Sequence, residues 1–410
     1  MRALLLVVAL ACCFAACGGD DPRPQPASPS EANSETSTAS QSPSAAATTS
    51  AQAAGWPNWT KTDFNRKTID LKEVFADCSG RDCIPALDAE GAYEVLSPVA
   101  GSARFVPARE PSYPGNYPVA VPTLDGETRG YPLHILTWHE IVNDKFGDRL
   151  VAMTFCPLCN TVIAFDRRVD GRHLDFGVSG NLRNSDLIMY DRQTWSWWQQ
   201  ATGEGIVGTY AGTKLNALPA NVVSMADFVA AFPEARVLSE NTSLPRDYGL
   251  NPYPGYDTRG SRPFLFEGAV DARMDAMERV LGVRAEGDAL AIPFARLSEV
   301  RAATITFDGK RLAAFWSPGT ASALGRESIA RAADVGAAVI YESAARGRSL
   351  TFGAAGDGRF RDQETASTWD IHGRALDGPL AGAQLPSAQA DTIFWFAWAA
   401  FFPKTAIWSP

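Results

Sequence analysis

The chain has 410 residues, 46% of them hydrophobic, with a net charge of -9 and a pI near 5.1. That length exceeds one ordinary core, so two globular units are expected. The acidic balance and the lack of any basic run exclude nucleic acid as an expected partner.

In chain order, the first segment reads "MRALLLVVALACCFAACGGDD", with Arg2 ahead of an apolar run from Ala3 to Ala16. The run is too short for a membrane span and suits a signal peptide. Its end, "FAAC", resembles a bacterial lipobox, which implies cleavage before Cys17 and a lipid on Cys17. Gly18 does not look like the aspartate that retains lipoproteins in an inner membrane. Residues 1–17 are therefore read as a lipoprotein signal peptide, with a plain secretory signal as the alternative. The membrane becomes a partner through the lipid. The expected location is extracytoplasmic, on the periplasmic face of an outer membrane or at the cell surface. Residues 18–55 are rich in Ser, Ala, Thr and Pro and read as a disordered tether. Such a compartment is oxidising, and disulfides persist in it.

Beyond an N-terminal extension, 56–117, two stretches resemble each other. "PVAVPTLDGETRGYPLHIL" matches "RVLGVRAEGDALAIPFARL", and "DRLVAMTFCPLCN" matches "KRLAAFWSPGTAS"; Pro132 pairs with Pro293 and Pro157 with Pro318. "GRHLDFGVSGNLRNSD" matches "GRSLTFGAAGDGRFRD", pairing Arg183 with Arg359 and Asp186 with Asp362, and Trp195 then pairs with Trp369. The pattern reads as two tandem pseudo-symmetric repeats of about 120 residues, at 118–240 and 279–410, with a Pro/Tyr/Gly-rich connector at 241–278. Two copies are too few for a solenoid, so a pair packed face to face is expected. Residues present in both copies, Arg183/Arg359 and Asp186/Asp362 among them, are read as serving the fold. Cys156 maps onto Ser317, Cys159 onto Thr320, His139 onto Val300 and His134 onto Ala295, so the chemical residues belong to the first copy alone.

Within that copy, "YPLHILTWHEIVNDKFG" reads as a helix that begins at its proline and ends near its glycine, with Ile135, Leu136, His139 and Val142 on one face. His134 lies roughly 140° away from His139, so the two cannot chelate one ion. "RLVAMTF" reads as a buried strand, "NTVIAFDRRVDGRHLDFGV" as two strands about the Asp170-Gly171 turn, and "DLIMYDRQTWSWW" as two more. "MADFVAAF" is a short helix and "IFWFAWAAFF" a buried C-terminal one. The fold class is thus α+β, mostly antiparallel β. Cys156 and Cys159 fall in a loop between strands, unlike the helix start that carries this motif in thioredoxin folds.

The set "YPLHILTWHEIVND", "TFCPLCNTVIAFDRR", "FGVSGNLRNSDLIMYDRQTWSWW" and "RDYGLNPYPGYD" resembles the bacterial and archaeal domain-of-unknown-function family numbered 3179, over roughly 84–410. The resemblance implies that the residues of interest are His139, Glu140, Cys156 and Cys159, and it implies no settled activity. "DCSGRDCIPALD" departs from that family's pattern, and Cys78 and Cys83 are a candidate local disulfide.

Three chemistries are then weighed. Haem attachment is excluded because Asn160 stands where the histidine must be. The first reading is a mononuclear metal site of Cys156, Cys159 and His139, of copper type and with zinc ranked below it, with Glu140 and Met189 as outer neighbours. Met153 and Met189 otherwise read as core, and His139 as a hydrogen-bonded core histidine. The second reading is an extracytoplasmic thiol-disulfide redox dithiol activated by His139. The third is a non-catalytic binding module with a structural disulfide, its groove lined by Trp195, Trp197, Trp198, Asn181, Arg183 and Asn184. No Ser-His-Asp set, phosphate loop or carboxylate pair stands out, so whether the protein is an enzyme stays open.

Overall fold

Hairpins dominate the architecture because short β-branched and aromatic runs alternate with Asp-Gly turns. In the computed structural model, which describes residues 45–410, four such turns close hairpins. Asp125-Gly126, Asp170-Gly171, Asp308-Gly309 and Asp357-Gly358 all have both residues at positive φ. This mirror-image turn matches the twist of the flanking strands. The α+β, mainly antiparallel class follows directly. The signal peptide, the lipidation residue Cys17 and the tether up to residue 44 lie outside the described residues. The last part of the expected tether is helical: Ala45–Ala53 forms a helix, and Ala51 is buried in a cluster with Trp59, Trp197 and Ile188.

The expected helix from 132 to 147 is shorter. It spans Leu133–His139 and stops at Glu140, whose φ of 58° and ψ of -32° break the spiral. Ile141–Phe146 is instead a strand, paired antiparallel with Arg149–Cys156. The β-branched Ile141 and Val142 favour the extended form, and the sheet takes them.

Strand order joins the two halves edge to edge, in addition to the face packing of Val119, Val121 and Val223 against Phe315 and Val339. The largest sheet runs from Gly101–Ala103 through Leu87–Ala89, Ile141–Phe146, Arg149–Cys156 and Thr161–Asp166 into Asp391–Phe394, Arg279–Arg284 and Ala289–Pro293. Its first part is built from the N-terminal half and its second part from the C-terminal half, joined where Thr392 pairs with Val162. Edge pairing lets the two halves share core clusters, and residues 45–410 belong to one compact unit. The N-terminal extension is woven in as well: Val74–Ala76 pairs with Phe176–Arg183, and Leu87–Ala89 with Ile141–Phe146. The C-terminal helix, Trp395–Phe401, is buried through Trp395, Phe396 and Trp398, as its composition implies. No helix among the described residues is long and apolar enough to cross a membrane.

Candidate metal centre

The site is built on a tight turn. Cys156 ends the strand Arg149–Cys156 and pairs with Thr161 at the start of the next, so residues 157–160 make the whole connection. Pro157 suits the early position of such a turn because its φ is already fixed near the required value. Asn160 takes a φ of 52° and its amide donates to the Pro157 carbonyl at 3.2 Å. The Phe394 amide donates to the Cys159 carbonyl at 2.8 Å, tying the turn to the C-terminal strand. Neither cysteine is in a disulfide, and at 1% and 0% exposure neither side chain faces solvent.

A carboxylate meets them from another hairpin. Phe176–Arg183 and Asp186–Asp191 are joined through Asn184 and Ser185, with Asp186 the first residue of the return strand. The Cys159 thiol donates to Asp186 Oδ1 at 2.9 Å. The two Sγ atoms and an Asp186 oxygen all lie within 4.8 Å of one another. The carboxylate is aimed by two further donors on Oδ2, the Gln199 side-chain amide at 2.6 Å and the Ala201 backbone at 2.8 Å. Thr161 Oγ1 donates to Cys159 Sγ at 2.9 Å. Arg183, directly across the hairpin, does not neutralise Asp186; it reaches Glu73 at 2.7 Å instead.

The surroundings are acidic. Glu140 is buried, and its carboxyl is pushed up to about 8, first by burial and then by the charges of Asp77 and Asp186. Burial raises Asp186 to about 6 despite the hydrogen bonds that favour its ionised form. Burial also raises Cys156, and holds Cys159 well above a normal thiol, with Asp186 adding to both. Partial burial raises Asp77. Among the described residues, no lysine or arginine forms an ion pair with Glu140 or Asp186. Two thiols and two buried carboxyls therefore share one pocket of the core with no protein cation to balance them. Near neutral pH the thiols and Glu140 hold their protons unless a cation displaces them, while Asp186 is mostly ionised.

The connector crosses this turn. Tyr256 donates from its hydroxyl to the Leu158 carbonyl at 2.8 Å, and Ser185 donates to the Phe264 carbonyl. The hydroxyl of Tyr253 is raised, chiefly by burial and next by Glu140.

His139 is not brought to the thiols. Its Nδ1 meets the Pro85 carbonyl at 2.8 Å and its Nε2 the Tyr248 hydroxyl at 2.6 Å, so both ring nitrogens are engaged elsewhere. Burial lowers it to about 4, leaving it neutral. The ligand set expected from sequence thus loses its histidine and gains Asp186. Glu140 does lie beside the centre. Met189 packs in the core opposite Trp198 and Val178, as its core reading expects. His134 meets Glu240 at 2.9 Å, away from the turn. Cys78 and Cys83 form a disulfide. Their loop sits against Gly180, where a side chain would lie 2.8 Å from the Gly80 carbonyl oxygen and 3.1 Å from Cys83 Sγ. The aromatic groove is absent: Trp197 and Trp198 are both fully buried, and Trp195 is stacked by Arg81 at 3.5 Å.

The sequence aligns Asp186 with Asp362, a match that reads as serving the fold and hides its place beside the thiols. The hydrogen bonds pair Asp362 with Asp191 instead. Each accepts from a threonine amide at 2.6 Å, from that threonine's hydroxyl and from a tryptophan Nε1, Trp198 in one case and Trp369 in the other. A five-residue shift in one hairpin hid the correspondence; the repeated "T-x-S-x-W" after each aspartate was the signal that could have exposed it.

Residues 81–405 match the family described as "Protein of unknown function (DUF3179)". The chain belongs to this family. No curated protein and no solved structure matches it. The family match therefore carries no activity with it, and the geometry alone supports the functional reading.

Proposed function

We propose that this DUF3179 protein is an extracytoplasmic, lipid-anchored metal-binding protein whose centre is formed by Cys156, Cys159 and Asp186. The convergence of two buried thiols and a buried, oriented carboxylate within 4.8 Å carries the reading. A mixed sulfur and oxygen set suits a borderline divalent ion of zinc type, whereas copper(I) would use the two thiolates and leave Asp186 idle. The ion would replace the thiol protons, and Glu140 beside it would hold or release a further one. The Cys78–Cys83 disulfide fits an oxidising compartment, in which metal ligation would keep Cys156 and Cys159 from pairing. Dithiol exchange is supported less well, because raised and fully buried thiols attack a partner's disulfide poorly.

Anaerobic purification followed by elemental analysis and thiol titration tests this. One equivalent of metal is expected, lost in Cys156→Ser and in Asp186→Ala. Retention in Asp186→Ala with copper(I) bound would return the site to the two-thiolate form. Metal-free protein that takes up neither zinc(II) nor copper(I) would sink the proposal.

A further inference from the structure

The backbone that carries the thiols occurs a second time with different chemistry. The helix Phe294–Val300 also starts after a proline, Pro293, and also stops at a residue with left-handed φ, Arg301, at 66° and -32°. The Phe155 amide donates to the Glu140 carbonyl at 2.8 Å, and the Trp316 amide donates to the Arg301 carbonyl at 2.8 Å. Arg301 therefore stands where Glu140 stands, and Ser317 where Cys156 stands. The hairpin correspondence runs the same way. Arg183 and Asp186 flank one two-residue turn, and Gly356 and Arg359 flank the other. Arg359 therefore takes the turn position of Asp186, on a shorter hairpin.

Both carboxylates have become arginines and the thiols have become hydroxyls. Between them lies a cavity of about 330 Å³, lined by Arg301, Trp316, Pro318, Asp357, Gly358 and Arg359 among others. The Arg301 guanidinium is stacked over the Trp316 ring at 4.4 Å, which fixes it in place. Ser317 is 3% exposed and its Oγ has no partner; its Cβ lies 3.6 Å from where a side chain on Gly358 would begin. Trp316 Nε1 is likewise a buried donor without an acceptor. A buried polar group without a partner is costly, and Ser317 sits under Gly358, which lines the cavity, while the Trp316 Nε1 edge lies against Gly336. Two guanidiniums lining one cavity want an acceptor that carries charge.

We propose that this cavity is an oxyanion-binding site, taking a small carboxylate or phosphate group that Arg301 and Arg359 grip from two sides. The proposal stands apart from the metal reading, since it shares no residue with that centre. Asp357 is the one carboxylate among the lining residues.

Isothermal titration of the purified full-length protein with inorganic phosphate, and separately with succinate, tests it. Saturable binding of at least one is expected, and which one binds distinguishes a phosphoryl from a carboxylate ligand. Arg359→Gln is exposed and leaves the fold intact; it should weaken binding about tenfold or more, the factor for one lost charge-assisted hydrogen bond. Arg301→Gln should do the same, and Cys156→Ser should leave the affinity unchanged. Failure of both anions to saturate at millimolar concentrations overturns the site. So does wild-type affinity in Arg359→Gln, which would place any bound anion elsewhere.

Discussion

The turn after Cys156 and the turn after Ser317 start from the same backbone and end differently. In the first, residues 157–160 return the chain at once, and Cys156 pairs with Thr161. In the second, Ser317 pairs with Ala337, and residues 318–336 form a long excursion that contains the short helix Ile329–Arg331. The neighbouring hairpin changes in the opposite sense. It is long in the first half, from Phe176 to Asp191, and short in the second, from Phe352 to Asp362. The longer hairpin is what carries Asp186 to the thiols. The left-handed residue at 140 or 301 costs about 1 kcal/mol of backbone strain, and both halves accept it. The comparison teaches that the backbone corner belongs to the architecture, while the residues placed around it are free to specialise. One half collected acids and thiols, the other arginines and hydroxyls.

The largest test of that comparison concerns the shared part. Asp191 and Asp362 make the same set of buried hydrogen bonds, so Asp191→Ala and Asp362→Ala should each lower unfolding stability by about 3 kcal/mol or more in urea titration. A loss below about 1 kcal/mol in either would show that the two turns are not equivalent. The unshared part should separate cleanly. Cys156→Ser is expected to weaken zinc(II) binding at least about a hundredfold, beyond what loss of a supporting outer contact costs, while Ser317→Cys should gain no metal, because Arg301 stands in the place of Glu140. Metal taken up by Ser317→Cys would break the charge argument.

The pH response should also differ between the halves. His139 occupies the helix position filled by Val300, and only the histidine titrates. Its folded value of about 4 lies below the ordinary 6.5, so the unfolded chain binds the proton first. Its contribution is complete above about pH 6.5 and is lost as pH falls towards 4, by up to about 3 kcal/mol. His139→Gln should flatten that part of the stability curve relative to wild type. An unchanged slope in the variant would assign the acid sensitivity to other groups. The smallest effect is expected at Ser317 and Thr320, whose buried hydroxyls lack partners. Ser317→Ala and Thr320→Val should be neutral or stabilising by about 1 kcal/mol when no anion is bound.

Much of this was legible in the sequence. The Asp-Gly turns and alternating runs specify the hairpins, "CPLC" marks the turn, the apolar C-terminal run specifies its helix, and Cys78 and Cys83 sit close enough to bridge. Those are local matters, governed by backbone preference over a few residues. The helix that stops at Glu140 was not legible, because its apolar spacing continues into Ile141 and Val142 and only strand pairing ends it. His139 lies on the core face of its helix, as its spacing indicates, but Tyr248 and Pro85 claim its ring. Asp186 joined the thiols through a hairpin whose length, not its residue types, sets the register. Sequence by itself determined which segments become strands and turns. Tertiary structure alone decided which side chains meet, because those meetings depend on register and on edge pairing between strands far apart in the chain.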